Sequence, residues 1–554
     1  MAFRQLLGAT GRNADRRDRR RAAGLRFWSQ PGPTVSPRGD ARDHGRVGAR
    51  VPTRAGGGRS GPARPAGGNQ ATGGASKADD MALAERVSGS GRTRGTCPMS
   101  PERVAADQTS TFPRFLDLAY PSIERGDGVW LHTTGGEKIL DACSGGAMVS
   151  SLGNGASEIV EAGAKQAERM AYFYMDHFTN EPMEQLADRL IGLAPQMARV
   201  RFASSGSEVN EAALRLARQY HVDRGEADRW QVISPAQAYH GSTMATMALT
   251  GRRQTIQEPY SAYLSPHLHI PPSTWRFDPS GQAALDELDK RIKEAGANSV
   301  AAFFCEPISA AALPGYSPPD RFWYGLAERR EKHGFLICFD EVVTGMGRVG
   351  TWFAFQQLPI EPDVVTVGKG LGAGYAPISA VMCKQHVYDA IAAGSRAFDL
   401  GHTWDGAPQS CAVGLAVVDV LESQRWVERV RDRGPRLRDE LESALKGNLM
   451  VHDVRGRGFL LGVELVDPRD GKSFLPDELQ VGLRVEDHAI EHGLLVGSTH
   501  STADGYAGDE ILIAPAFTST DQELAMMIER FTETMAHMTS KIEKKLGGAA
   551  ASRQ

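Results

Sequence analysis

The stretch Asp363-Val-Val-Thr-Val-Gly-Lys-Gly-Leu-Gly-Ala-Gly-Tyr-Ala-Pro377 decides the architecture when read with Phe335-Leu-Ile-Cys-Phe-Asp-Glu-Val-Val-Thr-Gly345 upstream of it. Each opens as an apolar run with β-branched residues, is bounded by glycine, and gives way to a charged side chain. Half-exposed strands alternate polar with apolar residues, so these unbroken runs read as parallel strands buried on both faces. Lys369 and Asp340 then stand where such strands stop. In open α/β sheets, the crevice outside the carboxyl ends of the strands is where ligands bind.

Burial lowers the pKa of a lysine, and a neutral amine attacks aldehydes, so Lys369 could carry a Schiff base. Asp340 could pair with a protonated ring nitrogen. Taken alone, the two residues fit a structural ion pair equally well. Moving outward, Val200-Arg-Phe-Ala-Ser-Ser-Gly-Ser-Glu-Val-Asn-Glu211 passes from a strand to a helix whose apolar face is Val209, Ala212, Ala213, Leu216, Ala217 and Tyr220. Ser205 and Glu208 have capping-box spacing. Ser205, Gly206 and Ser207 form either a cap alone or an anion site at a helix N-terminus, with hydroxyls and backbone N–H groups close to a phosphate. Val232-Ile233 leads into Ala238-Tyr-His-Gly-Ser-Thr243, where ordinary core packing is one reading of Tyr239 and His240. Val300-Ala-Ala-Phe-Phe-Cys-Glu-Pro-Ile308 is a strand ending in Glu306, which is either a solvated strand end or a second site carboxylate. Phe322 to Lys332 has helical spacing. Short strands alternating with helices over residues 200–370 predict a parallel sheet with right-handed crossovers, hence an α/β fold.

The whole chain has 554 residues, of which 41% are hydrophobic, enough for two lobes. A net charge of −4 with 23% charged residues gives no global field toward nucleic acid or an acidic membrane. Six cysteines without Cys-x-x-Cys spacing make neither a disulfide framework nor a zinc site, and they suit a reducing compartment. No apolar run is long enough to span a bilayer, so a soluble cytoplasmic protein is expected. Residues 1–105 are rich in Arg, Gly, Pro and Ser and read as a disordered leader. The basic run Arg16 to Arg21 hints at organellar import, but Asp18 interrupts it and Gly and Pro follow densely.

Around Thr133-Thr-Gly-Gly136, Val129 to Leu131 and Ile139 to Asp141 predict a hairpin, with Cys143 to Val149 as a Gly-bearing loop after it. Helical spacing runs through Ile159 to Met170 and Met183 to Leu193. Gly345-Met-Gly-Arg-Val-Gly350 matches a dinucleotide-binding Gly-x-Gly-x-x-Gly pattern. No helix opens at these glycines, which argues against a nicotinamide-dependent oxidoreductase. A non-catalytic regulator built on the same Schiff base would need a DNA-binding module, and the leader shows no helix-turn-helix periodicity.

Phe339-Asp-Glu-Val-Val-Thr-Gly-Met-Gly-Arg-Val-Gly350 followed by Pro362-Asp-Val-Val-Thr-Val-Gly-Lys-Gly370 resembles the signature of the class III aminotransferases. These are pyridoxal 5'-phosphate enzymes of fold type I, and the resemblance covers roughly residues 115–540. It implies a large domain with a mainly parallel sheet (166–410) and a smaller α+β domain drawn from both chain ends (106–165 and 411–540), with a tail at 541–554 taken as disordered from Gly547. It implies that Lys369 holds the cofactor as an internal aldimine and that Asp340 pairs with the pyridine nitrogen. Ser205, Gly206 and Ser207 would cradle the phosphate, Tyr239 would stack on the ring beside His240, Glu306 would lie near it and Val342 would pack on a ring face.

Thr403, in Gly401-His-Thr-Trp-Asp-Gly-Ala-Pro408, would bind the phosphate of a neighbouring subunit, which implies a homodimer with composite active sites. Trp404 stands where the family usually has Tyr. The implied reaction moves an amino group from an amine or amino acid donor to a 2-oxo acid or other carbonyl acceptor by a ping-pong mechanism. Aminomutase, decarboxylase and racemase chemistries of the same fold are the alternatives. Several family members hold a substrate carboxylate with an arginine before the last core strand. Gly493 to Gly508 contains neither Arg nor Lys, and His500 is the one basic side chain there.

Overall fold

A computed structural model describes residues 103–105, 107, 109–251, 258–500 and 505–551. Residues 1–102 of the expected leader lie outside the described residues. Arg103–Val104, at the leader's end, pairs antiparallel with Tyr120–Pro121.

Seven strands build the central sheet: β1 (Arg199–Ala203), β2 (Gln231–Pro235), β3 (Leu268–Ile270), β4 (Val300–Cys305), β5 (Leu336–Glu341), β6 (Val364–Val367) and β7 (Ser379–Cys383). Their order is β1-β7-β6-β5-β4-β2-β3. All neighbouring pairs are parallel except those of β7, which runs against both β6 and β1. The sheet is therefore α/β and mainly parallel, as expected. Its unbroken apolar sequences follow from burial on both faces. Ile337, Phe339, Val365 and Val367 point into one core, while Leu336, Cys338 and Val364 point into another, shared with helix α1 (Gly206–Asp223) through Val209, Ala213 and Leu216. By the two-residue period, Asp340 lies on the α1 side of β5. The register places it opposite Thr366 of β6.

Besides the two-stranded pair at Arg103–Val104, two four-stranded sheets accompany the central one. One is antiparallel, from Val451–Arg457, Leu460–Leu465, Glu510–Ile513 and Gly497–Thr499. The other contains the expected hairpin, observed as Trp130–Thr133 with Lys138–Asp141, and adds Ile123–Asp127 on one side. On its other side Leu494–Leu495 pairs parallel to Lys138–Asp141, so early and late parts of the chain share one sheet. The two predicted helices before β1 are Ser157–Arg169 and Glu181–Leu193. The second is capped by Asn180, whose side chain accepts from the Met183 N–H at 3.0 Å.

The helix face expected at Lys541 to Lys545 belongs to one helix from Asp521 to Ala551, so the disorder expected from Gly547 needs correction. Met538, Ile542 and Leu546 are buried four residues apart, so the apolar stripe continues through the lysines as far as Leu546. Among the described residues no helix is long and apolar enough to cross a membrane, and no cluster of His, Cys, Asp or Glu could hold a metal ion.

Candidate active site

Lys369 follows β6 across Gly368 and adopts a left-handed backbone, φ 40°. Such a conformation in a non-glycine residue is strained and persists only where the surroundings impose it. The side chain is half-buried, and its amine has no hydrogen-bond partner among the described residues. Burial lowers its pKa, while Asp340 and Glu306 pull the other way. The folded chain thus binds this proton less tightly than the unfolded chain does. The cofactor-free protein is accordingly expected to gain stability as pH rises toward the ordinary lysine value of about 10.4. Thermal melts of Lys369→Met should show a shallower slope over that window, and an unchanged slope would contradict the depressed amine.

Asp340 is 5% exposed, and its carboxylate is fixed by three donors. Oδ2 accepts from Asn210 Nδ2 at 2.7 Å and from His240 Nδ1 at 2.8 Å, and Oδ1 accepts from the Val342 N–H at 3.0 Å. Asn210 also donates to the His240 carbonyl at 2.7 Å and accepts from Thr366 Oγ1 at 2.7 Å. These bonds lock α1, β5, β6 and the loop after β2 into one cluster. The bond to Asp340 places the imidazole proton on Nδ1 and leaves Nε2 buried without a hydrogen-bond partner among the described residues.

The N-terminus of α1 lies against the same cluster. Ser205 Oγ accepts from the Glu208 N–H at 3.3 Å, and the Glu208 carboxylate accepts from the Ser204 N–H at 2.8 Å. Ser207 Oγ accepts from the Ser242 N–H at 3.0 Å. In both serines the hydroxyl proton remains available for an outside acceptor. The N–H groups of Gly206 and Ser207 are among those helix geometry leaves without an intrahelical acceptor. A Cβ at Gly206 would come within 3.0 Å of Val342 Cγ1, so backbone and Val342 meet closely there. Gly241 has φ 134°, and a Cβ on it would strike Ser207 Oγ at 2.5 Å; only glycine lets the Tyr239–Ser242 loop seat on α1.

Glu306 stands just past β4 and is half-buried. Its carboxylate accepts from the Tyr239 N–H at 3.2 Å and the Ala310 N–H at 3.1 Å, while burial pushes its pKa up. It therefore shapes the Tyr239 loop rather than ending a strand in solvent. Thr403 is exposed and makes no hydrogen bond to this cluster; Asp405, two residues on, is tied to Arg201 at 3.1 Å. His500 is half-buried.

Sequence reasoning missed Asn210 and Arg348. Asn210 lies one position from the apolar α1 stripe, a buried amide where a hydrophobe would extend the face, and that was the available signal. Arg348 stood inside the signature, but nothing in the spacing marks an arginine as buried.

The family follows from comparison with known proteins, because residues 116–535 match the family described as Aminotransferase class-III. The chain belongs to the class III aminotransferases. A Bacillus subtilis relative described as the uncharacterized aminotransferase YodT is 33% identical over 436 residues, covering 77% of this chain and 98% of the relative. The hypotaurine/taurine–pyruvate aminotransferase of Paracoccus denitrificans is 30% identical and covers 75% and 91%. The crystal structure of an amine transaminase from an uncultivated Pseudomonas species, in its pyridoxal phosphate-bound form, superposes with a TM-score of 0.70 at 29% identity, covering 78% of this chain and 97% of that one.

As a class III aminotransferase the chain is a transaminase that uses pyridoxal 5'-phosphate. The described residues fit that group. An amine without a partner, a buried carboxylate, and a helix N-terminus with two free hydroxyl protons match an aldehyde, a ring nitrogen and a phosphate respectively.

Proposed function

We propose that this aminotransferase runs a ping-pong exchange with Lys369 and Asp340 at its centre, moving an amino group from an amine or amino acid to a 2-oxo acid or other carbonyl acceptor. The observation that carries this reading is the half-buried, unpartnered Lys369 amine in electrostatic reach of the fixed Asp340 carboxylate. The cofactor, when bound, supplies the electron sink that makes the donor's C–H bond acidic. Lys369 would hold it through its aldehyde, and Nζ, its proton affinity lowered by burial, would be the group that takes the proton from the donor carbon and returns it. Asp340 would pair with the ring nitrogen, and His240 with Asn210 keeps that carboxylate aimed. Ser205, Gly206 and Ser207 would hold the phosphate, Tyr239 would cover one ring face and Val342 support the other, while Glu306 fixes the Tyr239 loop.

Ser207→Ala removes one hydroxyl donor to a dianion. Hydrogen bonds to charged groups contribute about 1.5–3 kcal/mol, so cofactor affinity should fall by roughly tenfold or more. Equilibrium dialysis against pyridoxal phosphate measures this, and unchanged affinity would remove Ser207 from the phosphate site.

The same reading makes the enzyme a homodimer with composite sites. Thr403 lies on an exposed surface with Trp404, whose ring meets Tyr172 edge-on at 5.7 Å, while Tyr174 and Phe178 are also exposed nearby in sequence. Such aromatic exposure suits burial by a second copy. The buried cysteines Cys143, Cys305, Cys338, Cys383 and Cys411 are unpaired, which favours a reducing, cytoplasmic setting. For substrates, pyruvate, the acceptor in the Paracoccus relative's name, is the first acceptor to test, with simple amines, ω-amino acids and α-amino acids as donors. Turnover that needs no carbonyl co-substrate would replace transamination by aminomutase or decarboxylase chemistry.

A further inference from the structure

Arg348 is 1% exposed, among the largest fully buried side chains, and the mechanism above gives it no part. Among the described residues no carboxylate hydrogen-bonds it. Nη1 donates to the carbonyls of Phe459 at 3.2 Å and Pro515 at 2.6 Å, and Nη2 donates to Ser144 Oγ at 3.0 Å. The guanidinium also lies over the Phe517 ring at 4.7 Å. Burial pushes its pKa down to about 10, with Asp141 and Cys143 the acidic groups in reach. A buried cation without an ion pair is expensive, so these acceptors must hold it tightly.

What it holds is the turn after the hairpin. Ser144, Gly145, Gly146 and Met148 have φ of 44°, 81°, 74° and 59°, four left-handed residues within five. Non-glycine residues keep such conformations only under constraint from outside. The constraint comes from two sides. Asp141 accepts from the Cys143 N–H at 3.0 Å and from the Gly145 N–H. Ser144 donates to the Ala514 carbonyl at 2.7 Å while accepting from Arg348. The turn lies against the segment that follows Lys369: a Cβ on Gly370 or Gly374 would lie 3.8 Å from Ser151 Oγ or 3.6 Å from Ser150, and Cys143 is among the groups acting on the amine.

We propose that Arg348 is a positioning residue that fastens the Cys143–Ser151 turn against the lysine segment and so fixes one wall of the substrate site. A guanidinium suits this task because its planar fork reaches three acceptors from three chain segments at once, which an ammonium on a flexible stem does not. Losing the fork loosens the wall while the Lys369 and Asp340 cluster stays intact. Substrate binding then suffers more than chemistry.

The kinetic half of this inference rests on the proposed transamination, and the local half does not. Hydrogen exchange of the amides of residues 143–151 is measured in the cofactor-free protein, and KM and kcat in the loaded enzyme, for wild type, Arg348→Lys and Ser144→Ala. Arg348→Lys should speed exchange across 143–151 about tenfold or more relative to β5 and β6. It should raise the donor KM about tenfold while kcat falls less. Ser144→Ala should move both in the same direction by less, and it keeps the test alive if Arg348→Lys does not fold. Exchange in 143–151 no faster than elsewhere, or activity falling only in step with the folded fraction, would overturn the assignment. If wild type shows no transaminase turnover, the proposed function fails, and the exchange comparison still decides whether Arg348 fastens the turn.

Discussion

Lys369→Ala is expected to abolish the visible absorbance of lysine-bound cofactor and to lower transaminase turnover by about four orders of magnitude or more, the upper end for a positioned proton-transfer group. The expectation follows from where the amine sits. It stands one residue past β6, is half-buried, has no hydrogen-bond partner among the described residues and is depressed in pKa by burial. Removing it should leave the fold nearly unchanged, because an unpartnered, strained lysine contributes little to packing. Borohydride reduction of wild type followed by peptide mapping should place the adduct on the peptide containing Lys369. Retained turnover in the variant, or an adduct on another peptide, would remove the centre of the proposed mechanism.

The second large effect is expected at Asp340. Asp340→Asn keeps the shape and an oxygen to accept from His240, Asn210 or the Val342 N–H, but it removes the charge. At an effective dielectric near 20, unit charges about 4 Å apart interact by roughly 4 kcal/mol. Loss of that interaction translates into about a thousandfold slower turnover. Single-turnover kinetics with a fixed donor, alongside a melting curve, check the point. A slow, normally melting variant identifies the charge as the cause, whereas a fast one would reduce Asp340 to a structural carboxylate. His240→Phe should show a smaller loss, because the imidazole only aims the carboxylate.

Much of this arrangement was legible before any coordinates. The unbroken apolar runs at 335–341 and 363–367 gave parallel strands because only double-sided burial tolerates such sequences, and strand ends then located Lys369 and Asp340. Ser205 to Glu208 was readable because capping chemistry is local: it depends on residues three apart. Asn210 was not, since its partners Asp340, His240 and Thr366 come from three other places in the chain. Arg348 escaped for the same reason, with acceptors on Ser144, Phe459 and Pro515. The last helix runs past Gly547, where the glycines and small residues read as its end, and among the described residues no buried side chain beyond Leu546 marks the continuation.

The pairing of Leu494–Leu495 with Lys138–Asp141 also governs how the protein must be made. On the ribosome the hairpin emerges early, yet its outer neighbour follows only after the whole central sheet has been translated. At ordinary elongation rates that interval is roughly tens of seconds. During it the nascent hairpin carries a raw backbone edge to which other chains can add. Premature termination before residue 494 would therefore leave the amino-terminal portion with the same uncovered edge. Stop codons late in the reading frame should yield insoluble product even though the lysine and its strands are already synthesised.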